Sequence, residues 1–289
     1  MTAPPGTLWV VGTPIGNLAD ITLRAVETLR SVARIVAEDT RRTRALLSHL
    51  GIEKKPLTSL EAHASERRIA ALVEKLLEGE SVALVTDAGM PGVSDPAARV
   101  VRAAAAQGVC VRVVPGPSAL TAGVALSGLV EGPFRFFGFL PRRGGARATA
   151  LASIAEGSEP SVLFEAPGRV QVLLDELAGS CPERPVALCR ELTKLHEQTL
   201  YGSAAELAAR GEPFRGEVTL VVGAAPRENT PKQLEHDLDE SIVAALCRGT
   251  SPRTLTEELT RATGLPRRAV YARVLALRDQ RTKRQPISS

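Results

Sequence analysis

The chain has 289 residues, 44% hydrophobic and 24% charged, with a net charge of +4 and a pI near 9.1. That length suggests about two domains of roughly 100–200 residues each, and the apolar fraction suffices for ordinary cores. Aromatic residues make up only 3%, which argues against an RNA-binding sheet built on stacked aromatics, while a small positive charge is only a weak pointer to an anionic partner.

Short β-branched runs alternate with amphipathic stretches from the start. "TLWVV" reads as a strand, and Asp20 or Thr22 can cap a helix running to about Leu29. "RIVAE" is a second strand, followed by a helix from Thr40 to Leu50 that Gly51 stops. "PLTSL" is a third strand, with a helix from Ser65 to Glu78 after it. "SVALVT" and "VCVRVV" are the fourth and fifth, separated by a helix from Ala97 to Gln107. Such alternation predicts a largely parallel sheet with helices on its faces. "PGPSALTAGVALSG" opens a new helix, and from about Pro117 the pattern changes. "FRFFGFL", "SVLFEA", "PVALCREL", "EQTLYG" and "EVTLVVG" are five strands with three clear helices among them. Fewer crossovers predict a mixed sheet with antiparallel pairs.

"AAPRENTPKQ", Ala224 to Gln233, reads as a linker, and no strand pattern follows it. Helices are expected at Leu234–Cys247, Leu255–Thr263 and Arg267–Gln280, the last two in a helix–turn–helix outline around Gly264 and Pro266. The tail "RTKRQPISS" reads as disordered. Charge is uneven: from Ser241 onward ten Lys/Arg stand against three Asp/Glu, whereas the rest of the chain is net acidic.

Cys110, Cys181, Cys189 and Cys247 lack C-x-x-C spacing, lie mostly in apolar runs and read as reduced core thiols of a cytosolic protein. The N-terminus has no signal-peptide pattern. His49, His63, His196 and His236 show no metal-ligand spacing, so no metal is expected. The longest uncharged run, Val113 to Val130, contains Pro115 and Pro117 and does not read as a membrane span.

In open α/β sheets, ligands bind outside the carboxyl ends of the strands, and four loops qualify. "VVGTPIGNLADIT" lacks both G-x-G-x-x-G and the lysine of a phosphate-binding loop; it is either a ligand loop or simply a tight turn. "TDAGMPGVSDP" is longer than the roughly 2–6 residues that a plain connection needs. Asp87 could accept hydrogen bonds from a polar ligand there, while Asp95 could simply cap the helix that Pro96 begins. "VVPGPSALTA" is a hinge or a helix N-terminus that offers free N–H groups. "CRELTKLHEQ" crowds charges at a strand end, where simple solvation is the competing explanation. Arg41, Arg42 and Arg44, Arg67 and Arg68, and Arg142, Arg143 and Arg147 form basic clusters that could hold phosphates or merely be solvated.

Together "TPIGNLADIT", "AEDTRRTRALL", "LVTDAGMPGVSDP", "VPGPSA", "GFLPRR" and "RELTK" resemble the tetrapyrrole-methylase (class III S-adenosylmethionine methyltransferase) family over about Thr7 to Val222. The narrower resemblance is to its bacterial branch that methylates the ribose 2′-oxygen of a cytidine in small-subunit (16S) rRNA. It implies an α/β fold with an S-adenosylmethionine (AdoMet) cleft between two α/β domains, residues 1–116 and 117–225, plus a small all-α domain at 234–283. It also implies a homodimer. AdoMet has no phosphate, so the missing lysine and glycines of the opening loop are expected. Carried over by position, the cofactor meets Pro14, Asp87, Ala88, Gly89, Met90, Val93, Ser94, Ser118 and Ala119. From the second half it meets Phe164, Glu165, Leu192, Thr193, Glu217, Val218 and Thr219. This chain departs from relatives at His63-Ala64-Ser65-Glu66 and at "FEAPGR".

A ribose hydroxyl is a poor nucleophile, so a general base is expected among Glu38, Asp39, Lys194 and His63. The lysine would have to be neutral, through burial or cationic neighbours such as Arg190. RNA contacts are expected from Arg41, Arg42, Arg142, Arg143, Arg267 and Arg268. Two alternatives remain: a small-molecule methylase of the same fold, and a non-enzymatic RNA-binding protein with a vestigial cleft.

Overall fold

A computed structural model describes residues 4–60, 64–93, 95, 97–211, 213–225 and 231–284, excepting the side chains of 231–237, 240 and 280–284. The chain forms two compact units, Met1–Ala225 and Pro226–Ser289. No helix among the described residues is long and apolar enough to cross a membrane.

The first unit holds two five-stranded sheets. The first contains β1 (Thr7–Val11), β2 (Arg34–Ala37), β3 (Leu57–Ser59), β4 (Val82–Leu84) and β5 (Cys110–Val114), in the order β3-β2-β4-β1-β5. Every pair is parallel, as the alternation predicts. The inner strands read as unbroken apolar runs because both faces are covered. On one face α3 (Glu66–Leu77) and α4 (Ala97–Ala106) pack Leu72, Leu76 and Val100 against Leu8, Val82 and Leu84. On the other, α1 (Leu23–Ser31) and α2 (Thr40–His49) pack Leu29 and Leu47 against Val11, Ile35 and Ala83. Of the two expected caps for α1, Thr22 serves: its Oγ1 accepts the Ala25 N–H at 3.1 Å, while Asp20 sits in a short 3-10 turn.

The second sheet contains β6 (Arg135–Phe139), β7 (Ser161–Glu165), β8 (Pro185–Arg190), β9 (Gln198–Ser203) and β10 (Val218–Val222), ordered β6-β7-β10-β8-β9. Only β6 and β7 run parallel; the other pairs are antiparallel. The preceding helix α5 (Ala119–Ser127) covers one face. Its Gly123 lies so close to β10 that a Cβ there would meet Thr219 Cγ2 at 2.6 Å. Helices α6 (Gly145–Ala155), α7 (Val170–Ser180) and α8 (Ala204–Ala208) cover the other, burying Ile154, Leu173, Leu177 and Leu207.

Arg147 leaves the basic cluster that its sequence neighbourhood suggests. It falls on the first turn of α6 and points into the unit, 6% exposed, where it pairs with Glu176. Arg142 and Arg143 stay on the surface. Arg184 is also buried, its guanidinium donating to the carbonyls of Ala155, Gly157 and Gly223.

The second unit is helical: α9 (Pro231–Cys247), α10 (Pro252–Thr263) and α11 (Arg267–Arg284), around Ile242, Leu255, Val270 and Val274. Gly264, at φ +69°, ends α10 as expected. Helix α11 runs four residues beyond the expected end at Gln280, so "RTKR" is helical and not disordered. Arg and Lys are good helix formers, and no proline or glycine occurs between Arg267 and Gln285. The last five residues and half of the expected linker, residues 226–230, lie outside the described residues. Cys110 and Cys247 are exposed and do not meet the expectation of core thiols.

Candidate active site

The carboxyl ends of β1, β2, β4 and β5 face one end of the second sheet across a cavity of about 390 Å³. The volume falls within the roughly 300–1,000 Å³ typical of small-molecule sites. Ile15, Glu38, Arg42, the loop from Thr86 to Met90, Val93, Asp95, Ser118 and Ala119 line it from the first half. From the second sheet come Phe139, Phe164, Glu165, Ala166, Pro167, Glu217, Val218 and Thr219.

The opening loop is mainly a clasp. The Thr13 N–H donates to the Gly89 carbonyl at 3.0 Å, and the Gly89 N–H returns the bond at 3.1 Å. Thr13 Oγ1 bonds the Thr86 carbonyl at 3.3 Å. Gly12 lies against Gly116, so two strand-end loops touch backbone to backbone. Gly16 lies against Leu192, Thr193 and Lys194. Pro14 is buried behind this clasp and does not line the cavity; Ile15 does. Leu192 backs the wall by packing with Ile15 and Ala119. Thr193, held at φ +67°, stands outside the lining as well.

The long loop after β4 needs its glycines, with Gly89 at φ +82° and Gly92 at φ +95°. Asp95 caps α4, accepting from the Ala97 N–H at 2.7 Å and from Gly92 and Val93. It also lines the cavity, so the cap and the ligand loop share one residue. Ser94 and His63 lie outside the described residues.

The base candidates now separate. Asp39 is the N-cap of α2 and pairs with Arg41, whose hydrogen bonds hold its carboxyl down to about 2. That makes it a poor base, and it does not line the cavity. Lys194 does not meet the condition of neutrality. Partial burial lowers its pKa, but hydrogen bonds to Glu191 at 2.8 Å and Glu217 at 3.1 Å more than reverse this and raise it. Arg190, the expected cationic neighbour, bonds Gln198 instead. Glu38 lies on the cavity wall with its pKa raised by burial and by Asp87 and Asp95, against the lowering effect of Arg42.

The profile of the tetrapyrrole (corrin/porphyrin) methylases matches residues 7–208. The chain belongs to this family. A curated relative from Xylella fastidiosa (strain Temecula1), named ribosomal RNA small subunit methyltransferase I, is 42% identical over 272 residues, 92% of this chain and 98% of the relative. A Thermotoga maritima protein of the same name is 45% identical over 219 residues, 75% of this chain and 98% of its own length. The fold matches a solved uroporphyrin-III C-methyltransferase from Thermus thermophilus, complexed with S-adenyl homocysteine. The TM-score is 0.55 at 19% identity, covering 75% of this chain and 97% of the other.

The cofactor of this tetrapyrrole-methylase-family protein is AdoMet, and the cavity suits it. Five carboxylates, Glu38, Asp87, Asp95, Glu165 and Glu217, line the wall against a single described base, Arg42. Such a wall favours a sulfonium cation and disfavours a phosphate. Glu165 Oε2 is buried without a hydrogen-bond donor among the described residues, with Arg147 Nη1 3.8 Å away. Phe139 and Phe164, with ring centroids 5.6 Å apart, add an apolar surface. The sequence did not single out Phe139, Ala166 and Pro167 as cofactor contacts, although they lie within "GFLPRR" and "FEAPGR".

Proposed function

We propose that the protein transfers a methyl group from AdoMet to the ribose 2′-oxygen of a cytidine in small-subunit (16S) rRNA, as a cytoplasmic homodimer. Residues 1–116 and 117–225 would form its two α/β domains and 234–283 its helical domain. The observation that carries this reading is the 42% identity to a small-subunit rRNA methyltransferase across 92% of the chain, helical portion included. The small-molecule reading draws on the fold likeness, which extends over only 75% of the chain. The acidic cavity supports a cationic methyl donor. Arg41, Arg42, Arg142 and Arg143 are exposed in the same unit as the cavity and can meet phosphates. Bound AdoMet supplies an activated methyl on sulfur. Positioning of donor and acceptor by the protein can then contribute on the order of 7–11 kcal/mol.

Radiolabel transfer from AdoMet to isolated small subunits, followed by nucleoside analysis, should place the label on a 2′-O-methylcytidine. Label on the base, or on a small molecule only, would refute this reading. Asp87→Ala combined with Ser118→Trp should abolish AdoMet binding in calorimetry, because one change removes a wall carboxylate and the other fills the cavity. Unchanged affinity in the folded double variant would count against the placement of the cofactor.

The helical unit carries the basic excess, with Arg261, Arg267 and Arg268 exposed; Arg267 also pairs with Glu257 at 3.2 Å. A chain ending at Ala225 should keep AdoMet affinity and bind small subunits more weakly. The slope of log affinity against log salt should become shallower by about 0.7–0.9 for each phosphate that the protein no longer neutralises. Full-rate methylation with the original salt slope would show that Arg41, Arg42, Arg142 and Arg143 hold the rRNA without the helices.

A further inference from the structure

A carboxylate is the stronger base where no hydrogen-bond donor or cation of the fold already stabilises its charge. Of the five carboxylates on the cavity wall, four are engaged. Asp87 accepts the Asp39 N–H at 2.9 Å and lies 3.6 Å from Arg42 Nε. Asp95 accepts the three backbone N–H groups that order its loop and cap α4. Glu165 accepts the Ala166 N–H at 2.8 Å and pairs with Arg147 and Arg169. Glu217 pairs with Lys194 at 3.1 Å. The Glu38 carboxylate accepts no hydrogen bond and makes no ion pair within 4 Å among the described residues.

The position of Glu38 is fixed nonetheless. It follows directly on β2, and its backbone carbonyl accepts from Ser59 Oγ at 3.3 Å. Arg42, in the first turn of α2, shares the wall with it.

We propose that Glu38 is the general base that receives the proton of the acceptor ribose hydroxyl. This rests on the methyl-transfer reading above. The hydroxyl oxygen forms its new bond to the methyl carbon while its proton passes to a Glu38 carboxylate oxygen. The pair of the broken carbon–sulfur bond stays on sulfur, leaving a neutral thioether.

The surroundings strengthen the base. Burial and the like charges of Asp87, Asp95 and Asp39 disfavour the carboxylate, and Arg42 partly offsets them, so its proton affinity exceeds that of an ordinary glutamate. Arg42 is 64% exposed in its side chain and sits beside the base, so an RNA phosphate that engages it would draw positive charge away from Glu38. The same interaction that docks the acceptor would then raise the basicity of the group that deprotonates it.

The test is single-turnover methyl transfer to small subunits, measured from acid to neutral pH, alongside calorimetric AdoMet affinity. Glu38→Gln keeps the shape and removes the base. At saturating AdoMet it should lose about 10²–10⁴-fold in rate, a loss in the methyl-transfer step separate from any fall in AdoMet affinity. Wild-type rate should climb with pH through one ionisation above the usual carboxylate range, and the residual rate of E38Q should lack that limb. Glu38→Asp should recover part of the rate. Arg42→Gln removes the cation that lowers the Glu38 pKa, so it should shift the limb to higher pH, which a purely structural role for Glu38 would not produce. An E38Q enzyme that keeps most of its rate, or keeps the acid limb, overturns the assignment of Glu38 while leaving the methyl-transfer reading intact. A wild-type enzyme that labels no ribose overturns both.

Discussion

Gly12→Ala is expected to weaken AdoMet binding by roughly 10- to 100-fold, because overpacking of about 1–3 kcal/mol falls on the loops that wall the cavity. A Cβ at Gly12 would lie 2.6 Å from Met90 Sδ, 2.7 Å from Gly116 Cα and 2.8 Å from Gly116 N. The methionine can swing aside, but the Gly116 backbone cannot. The relation is mutual, since a Cβ on Gly116 would meet Gly12 C and Cα at 2.9 Å each. Separating these backbones would pull Thr13 away from Gly89, whose paired hydrogen bonds set the position of Ala88 and Met90 on the wall. Gly132→Ala is the control, because a Cβ there meets nothing within 4 Å. Calorimetry and thermal melting should report a large affinity loss and a small loss of stability for G12A, and neither for G132A. Wild-type affinity in G12A would mean that Met90 alone absorbs the added methyl.

This clasp also shows what the sequence could and could not convey. Strand positions were legible because β1, β2, β4 and β10 are short, nearly continuous apolar runs, and a run buried on both faces needs no partner to be recognised. The pairing order was not, since β10 lies between β7 and β8 through pairings between segments far apart in the chain. The absence of phosphate-loop chemistry in "GTPIG" was readable; its role as a clasp depends on Gly89, Gly116 and Lys194, at separations that spacing rules do not capture. Adjacent carboxylates met opposite fates for a local reason. Asp39 lies at the first free N–H groups of α2 and is consumed as a cap, whereas Glu38, one residue earlier, still follows the strand direction into the cavity. Lys194 looked like a base candidate because only one of its two carboxylate partners is near in sequence; Glu217 arrives from β10's entry. Arg147 looked solvated beside Arg142 and Arg143, but the helix that starts at Gly145 turns it inward.

That inward turn creates a buried charge cluster in the first unit. The Glu165 side chain is fully buried, with Arg147 Nη1 3.8 Å from Oε2 and Arg169 on Oε1. Arg147 is itself 8% exposed in its side chain and is shared with Glu176 through hydrogen bonds at 3.0 and 3.1 Å. Glu165→Gln keeps the volume but removes the charge that both guanidinium groups face. Breaking one partner of a buried pair costs about 3–5 kcal/mol, because the remaining charge stays desolvated. The value here should fall at the lower end, since Glu176 still neutralises Arg147 and Arg169 keeps 28% of its side chain in water. Chemical denaturation should therefore give a loss of about 3 kcal/mol for E165Q. Arg147→Met with Glu165→Gln removes a stranded cation together with its counter-charge, and should recover part of that loss. Recovery would separate the electrostatic penalty from any packing defect, which the second substitution could only deepen. AdoMet affinity should be lower than wild type in both variants, because each removes one of the carboxylates that line the cavity. An E165Q protein that unfolds at the wild-type denaturant midpoint would mean that solvent reaches this cluster and that its charges are not balanced against each other.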